Sequence, residues 1–285
     1  MKVAIIGVGL IGGSFAKDVK RIYPAAELYG FDANEAHLKK ALDLGLIDKK
    51  TNYDGLAIMD MVLLAIPVDV LVKELPKILD AAGEDTVVFD AGSTKTLICK
   101  VVENHSKRRN FLACHPIAGT EFSGPEAAIE NLYDGKTNII CEVEKTAFKL
   151  QEKALQLFQA MGMRIRYMNA EAHDKHIAYV SHLSHISSFM LGKTVIEKEK
   201  NERDIFDMAG SGFESTVRLA KSSPAMWTPI FEQNKDNVIE TLAEYIQNLE
   251  HFKKMIEKND FEGVYSEMNN TNKIKQILNG IPLTK

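Results

Sequence analysis

Cysteine is scarce in this chain of 285 residues: the three present, Cys99, Cys114 and Cys141, stand far apart and form no CxxC pair. That scatter excludes a disulfide framework and carries no structural zinc signature, so a reducing, cytoplasmic setting is expected. Long apolar runs are also missing. The N-terminal apolar stretch covers only residues 3–13 and follows no basic cluster, whereas a membrane span needs about 20 apolar residues and a secretory leader a charged start. Nor is there an excess of positive charge; the formal net charge of −4 argues against a nucleic-acid partner and means that an anionic ligand must be met by local cations. Low-complexity tracts and repeats are absent. Apolar residues are plentiful, at 45 % of the chain, enough for a substantial core.

Their arrangement changes along the chain. In the first part, short apolar runs at 2–6, 28–32, 61–66, 86–90, 111–114 and 137–141 alternate with helical patterns such as 33–44 and 70–82. This rhythm predicts buried parallel strands in a doubly wound α/β sheet, with a seventh strand at 163–168. Beyond about residue 170 only helical patterns remain, so a boundary is expected between units 1–169 and 170–285. Residues 172–197 are apolar on nearly all sides, as for a helix buried between domains or subunits. From Ser223 as N-cap and Pro224 at the first helical position, 224–258 reads as one long helix. Its seam of Phe231, Val238, Leu242, Tyr245, Leu249, Phe252 and Ile256 asks for a partner helix, internal or from a second subunit.

Gly7-Val8-Gly9-Leu10-Ile11-Gly12 follows the first strand directly and opens a helix. Amides at such a helix start, unobstructed by side chains, can receive the pyrophosphate of a dinucleotide. Taken alone the loop is weak evidence, since bland turns and some methyltransferases carry similar glycines. Asp32 adds to it: about twenty residues on, at the end of the second strand, its carboxylate suits both ribose hydroxyls of NAD, and Ala33 and Asn34 bring no arginine for the extra phosphate of NADP. A plain helix cap at Asp32 is the competing role.

Candidate catalytic groups fall at strand ends. Ser93, in Asp90-Ala-Gly-Ser-Thr-Lys95, sits at the sheet's carboxyl edge or else caps the next helix. His115 ends the following strand before Pro116, placing an imidazole beside the ligand crevice, where its neutral form can accept a proton; a satisfied structural histidine is the alternative. Four histidines, His173, His176, His182 and His185, lie close together. At about 100° per residue, they point near 0°, 300°, 180° and 120° around one unbroken helix, so they do not converge on a metal, and none is expected. His182 and His185 share a face and suggest a lined cavity. Arg218, in the helix after Gly210-Ser-Gly212, has the forked geometry to clamp a carboxylate and suits that task better than Lys221, with a surface ion pair as the ordinary alternative.

Taken together, Gly7-x-Gly9-x-x-Gly12, Asp90-x-Gly92-Ser93-x-Lys95, His115-Pro-Ile-Ala-Gly-Thr-Glu121, Ser181-His-Leu-Ser-His185 and Gly212-Phe213 followed by Arg218 resemble the prephenate/arogenate dehydrogenases over nearly the whole chain. The resemblance implies an N-terminal Rossmann-type sheet followed by an all-α dimerisation domain, with the active site in the cleft between them. It implies NAD as cofactor, held by Gly7, Gly9, Leu10, Ile11, Gly12 and Asp32. It further implies that His115 removes the substrate's hydroxyl proton with Ser93 as orienting group. Arg218, His182, His185, Thr120 and Glu121 are expected to contact substrate. The implied reaction is oxidative decarboxylation of prephenate to 4-hydroxyphenylpyruvate in tyrosine biosynthesis, or of arogenate to tyrosine. The length leaves no room for the mutase or regulatory domains of some relatives, so a bare dehydrogenase core is expected. Two other classes compete: a β-hydroxyacid dehydrogenase, which would use Lys95 or Lys193, and a regulatory module that binds NAD without turnover.

Overall fold

The computed structural model describes residues 1–200, 202 and 204–280, so the last five positions of the expected second unit lie outside the described residues. In the first part, strands and helices alternate: β1 (Lys2–Ile6), α1 (Leu10–Ile22), β2 (Glu27–Phe31), α2 (Glu35–Asp43), β3 (Lys49–Lys50), β4 (Met61–Leu64), α3 (Val68–Ala81), β5 (Val87–Asp90), α4 (Thr96–Val101), β6 (Phe111–Pro116), β7 (Thr137–Cys141), α5 (Phe148–Ala160) and β8 (Arg164–Met168). They form one eight-stranded sheet in the order β3-β2-β1-β4-β5-β6-β7-β8. The order reverses between β1 and β4, which opens the crevice used for ligands in open α/β sheets.

The inner strands carry apolar residues on both faces because helices cover both. Val3, Ile5, Leu63 and Phe89 pack with Phe15, Val19 and Phe158 on one side. Ala4, Ile6, Leu64 and Val88 pack with Leu71, Leu75 and Ile78 on the other.

Two expectations for the sheet are corrected. The strand at 137–141 was expected to run parallel, but β7 is antiparallel to β6. Residues 117–136 return to the sheet with no crossover helix, and a parallel neighbour would need one. β8 again runs parallel to β7, across α5. The sheet also has an eighth strand, β3, whose two exposed residues are too short to show a pattern.

The described residues beyond β8 form helices: α6 (Ala170–Ile177), α7 (Leu183–Glu199), α8 (Ser211–Val217), α9 (Pro224–Gln233), α10 (Lys235–Glu257), α11 (Phe261–Thr271) and α12 (Ile274–Gly280). Asn169 starts α6, its side chain accepting from the Ala172 amide at 2.6 Å. The expected single helix at 172–197 is interrupted: a π turn at Ala178–His182 joins α6 to α7 and shifts the phase of everything after it. The expected long helix at 224–258 is likewise broken. Asn234 leaves helical geometry between α9 and α10, and its side chain turns inward to polar partners. Ser223 does stand at the N-cap position with Pro224 next, although its hydroxyl makes no capping bond. Trp227 and Ile230 of α9 join the core on the α3 side of the sheet, so the helical part is docked onto the first part.

Candidate active site

Gly7 has φ +93°, and a methyl group there would lie 2.3 Å from the Ala65 carbonyl oxygen. One placed on Gly12 would lie 1.9 Å from the Gly7 oxygen, so only glycine lets α1 start this close to the turn. At Gly9 a methyl group would meet nothing nearer than the Gly124 amide at 3.9 Å, which leaves the mouth of the loop open. No side chain caps α1, so the amides of Leu10, Ile11 and Gly12 point outward without partners among the described residues.

Asp32 stands just beyond β2, where its carboxylate accepts the Val8 amide at 3.0 Å and the Asn34 amide at 2.8 Å. The cap of α2 is Asn34, which accepts from the amides of Ala36 and His37, so Asp32 does not act as that cap. A carboxylate has about four acceptor positions, and two remain for ribose hydroxyls. Open amides, an unobstructed turn and this acid therefore fit a dinucleotide.

Three strands from β2, Asp90 closes β5. One of its oxygens accepts the Cys114 amide at 2.9 Å; the other accepts the Gly92 amide at 2.9 Å and pairs with the Lys95 ammonium. Lys95 is fully buried and also donates to the Cys114 carbonyl at 2.7 Å. These bonds lock the carboxyl ends of β5 and β6 together immediately before His115. They also occupy the lysine that a β-hydroxyacid dehydrogenase would need free, while Lys193 lies exposed beside Glu197.

His115 is 9 % exposed, and its Nδ1 lies 2.8 Å from Nε2 of His173. The Nδ1 of His173 lies 2.8 Å from Asp174, whose carboxylate also accepts the amides of Lys95 at 2.7 Å and Thr96 at 2.8 Å. Burial, followed by the proximity of His173, Lys95 and His182, holds the His115 pKa well below the ordinary imidazole value. Burial lowers His173 too, against the pull of Asp174. For Asp174, burial pushes upward, but hydrogen bonds from His173 and Thr96 outweigh it and hold the carboxyl below its usual range.

The half-buried Ser93 hydroxyl has no hydrogen-bond partner among the described residues, so His173 rather than Ser93 holds the His115 ring. Ser93 does not cap α4 either, whose N-cap position is Lys95.

The two histidines expected to line a cavity surround Trp227. His185 stacks on the indole at 3.5 Å between ring centres and donates from Nδ1 to the Ser181 carbonyl. His182 meets the same indole edge-on, lies 3.2 Å from the Asn234 amide nitrogen, and is lowered by burial to a pKa of about 4. The buried Trp227 Nε1 has no partner among the described residues.

Arg218 is paired with Glu121 at 3.1 Å, with its guanidinium about half exposed. Glu121's own backbone amide and Arg218 outweigh burial and hold its carboxyl below the usual range. The loop carrying Thr120 and Glu121 lies over the glycine turn: Gly119 faces Ile11, Gly124 faces Gly9, and farther along Tyr133 donates to the Ile11 carbonyl at 2.7 Å. Thr120 Oγ accepts the Phe122 amide at 3.3 Å. One loop thus links the dinucleotide turn to the arginine of the helical part.

Sequence reasoning overlooked His173, Asp174 and Asn234. His173 was weighed only as a metal ligand, and the signal that could have found it is a His-Asp pair in the first helix after the sheet, where polar groups must find buried partners.

Family models match on both sides of the strand-to-helix transition: prephenate dehydrogenase, nucleotide-binding domain, over residues 15–167, and prephenate dehydrogenase, dimerization domain, over residues 169–270. The first match begins after the glycine turn, so the turn rests on its own geometry. The chain is similar to "Cyclohexadienyl dehydrogenase" of Zymomonas mobilis, 30 % identical over 90 % of this chain and 89 % of that one. It is similar to "Prephenate dehydrogenase" of Bacillus subtilis, 28 % identical over 99 % of this chain and 76 % of that one. Among solved structures, it resembles prephenate dehydrogenase from A. aeolicus in complex with hydroxyphenyl propionate and NAD+, with a TM-score of 0.85, 35 % identity and 97 % coverage of both chains.

Proposed function

Since the chain belongs to the prephenate dehydrogenase family, we propose that His115 is the base that takes the hydroxyl proton of a cyclohexadienol held in the cleft. The activity is NAD-dependent oxidative decarboxylation of prephenate to 4-hydroxyphenylpyruvate, a step of tyrosine biosynthesis. Bound NAD supplies the hydride-accepting ring. Gly7, Gly9 and the amides of Leu10, Ile11 and Gly12 hold its pyrophosphate, and Asp32 its ribose.

The observation that carries this reading is a buried imidazole, biased toward its neutral form, at the same sheet edge as the glycine turn and with Nε2 unpartnered among the described residues. Neutral imidazole is the form that accepts a proton. Arg218 exchanges its Glu121 partner for a substrate carboxylate, and His182, His185 and Thr120 contact the substrate. Ser93, whose hydroxyl is uncommitted, is placed at the substrate hydroxyl.

We assign the two units to 1–169 and 170–285, the second pairing with its copy through the apolar faces of α7 and α10 to form a homodimer. No helix among the described residues is long and apolar enough to cross a membrane. The cytoplasm is the setting in which the buried thiols Cys99, Cys114 and Cys141 remain reduced.

The test is steady-state formation of NADH or NADPH from prephenate and from arogenate, each with NAD and with NADP. Turnover of prephenate with NAD is expected to dominate. Faster use of arogenate would move the specificity to the amino substrate, and faster use of NADP would remove Asp32 from ribose recognition.

A further inference from the structure

We infer that His173 and Asp174 form a positioning relay that fixes the His115 ring with its proton on Nδ1, leaving the Nε2 lone pair facing the substrate. This rests on the reading of His115 as the base and goes on to name what makes it one.

Hydrogen-bond bookkeeping along the chain of contacts leaves one arrangement. Asp174 is an ionised carboxylate and can only accept. Its Oδ1 takes the Lys95 amide at 2.7 Å and faces His173 Nδ1 at 2.8 Å. His173 Nδ1 must therefore carry a hydrogen. A neutral imidazole has only one, so His173 Nε2 presents a lone pair. Across the next 2.8 Å, His115 Nδ1 must donate. His115 is itself neutral, so its Nε2 is bare. Each step removes a choice that an isolated histidine would keep.

The surroundings support the same polarity. From the loop after β5, His115 is faced by Lys95 with its Asp90 partner; from α6 by His173 and Asp174; and from the π turn by His182. Lys95 disfavours a charged imidazole, while Asp174 is positioned to share positive charge as it develops, through two hydrogen bonds in a buried path. Asp174 belongs to the helical part, yet it is held by the amides of Lys95 and Thr96 from the sheet part. The tautomer of the base is thus set by the docking of one part of the chain on the other.

The direct test is 15N–1H correlation of the imidazoles in the full chain labelled at its eight histidines, with resonances assigned by their loss in His115→Asn and His173→Gln. Both His115 and His173 are expected with hydrogen on Nδ1 and a bare Nε2. Hydrogen on His115 Nε2, or averaging between the two nitrogens, overturns the relay.

Kinetics supply the second reading. His173→Phe should lower kcat on the order of 10- to 100-fold, with KM for prephenate and NAD within about twofold of the parent. The acid limb of the kcat–pH profile should move to lower pH, because an imidazolium at 115 loses its acceptor. His173→Gln, whose amide oxygen can take the same hydrogen bond, should recover most of the loss. If the Phe variant works at the parental rate while His115→Asn is inactive, the relay fails and the base stands. Normal turnover by His115→Asn would remove the base itself. A Gln variant no better than Phe, with KM raised and the thermal midpoint lowered in both, would reduce His173 to packing. If the Phe variant does not fold, the Gln variant and the tautomer measurement still decide.

Discussion

Strands β1, β4, β5 and β6 bury every residue except Lys2. Helix α7, by contrast, buries only Ser188 among 17 residues, and α10 only Thr241 and Met255 among 23. Both regions are rich in apolar side chains, but in the sheet they meet one another, whereas Met190, Ile239, Ile246, Leu249 and Ile256 of the helices are exposed in the single chain. Each such side chain gains about 1.5–3 kcal/mol on full burial. The first region can therefore stand on its own core, and the second has surface to give to a partner. His115 lies where the two regions meet, carried by β6 and bonded to His173 of α6.

If the sheet edge is a fixed scaffold for the base, removing the base should cost catalysis and little else. His115→Asn is expected to lower kcat by about 10²- to 10⁴-fold, with NAD binding and the thermal midpoint nearly unchanged. Near-normal turnover would break the comparison at its most important residue.

The scaffold's own strength can be probed at Asp90. Its removal in Asp90→Ala strands the fully buried Lys95 ammonium, which should cost about 3–5 kcal/mol in urea unfolding. Asp85→Ala, which breaks the exposed pair with Lys149, should cost under about 1 kcal/mol. Equal losses would mean that the β5–β6 lock contributes nothing special.

The junction should respond to acid. His182 has its folded pKa lowered by burial to about 4 from 6.5, so the unfolded chain binds its proton first as pH falls. Stability is then complete above about pH 6.5 and declines toward pH 4, by roughly 3 kcal/mol from this residue alone. Thermal midpoints across that range should show the decline, and His182→Gln should make it shallower, the remainder coming from His115, His173 and His185; an unchanged slope would remove His182 as a source.

Leu249→Asp carries the smallest expected effect and addresses the helical side directly. A charge on the exposed face of α10 should weaken self-association by about 2 kcal/mol, read as a shift to monomer by sedimentation. Ile58→Asp, on the equally exposed surface of the sheet part, should change nothing in that measurement.

Much of the sheet side was legible because its signals are local. A glycine turn directly after an apolar run, an acid about twenty residues later and a histidine at a strand end each declare their position over a few residues. What escaped depends on distance or on phase. The direction of β7 is decided by how residues 117–136 return to the sheet. The partner of His115 lies 58 positions away. The break at Asn234 hides inside the heptad spacing, since Phe231 and Val238 keep their interval across it. The π turn leaves the run of apolar residues intact, so a straight helix was the natural reading.

That turn has a consequence for tolerance to length change. A π turn is an α-helical turn widened by one extra residue, so deleting one residue between 178 and 182 would let ordinary α-helix run through with His185 still facing the same way, whereas closing the turn at full length would swing His185 by about 100° around the axis. In that second case every side chain would keep its identity, yet the stack of His185 on Trp227 would be lost. In this stretch a one-residue gap between two homologues is therefore the length change the helix absorbs, and a gap of two is not.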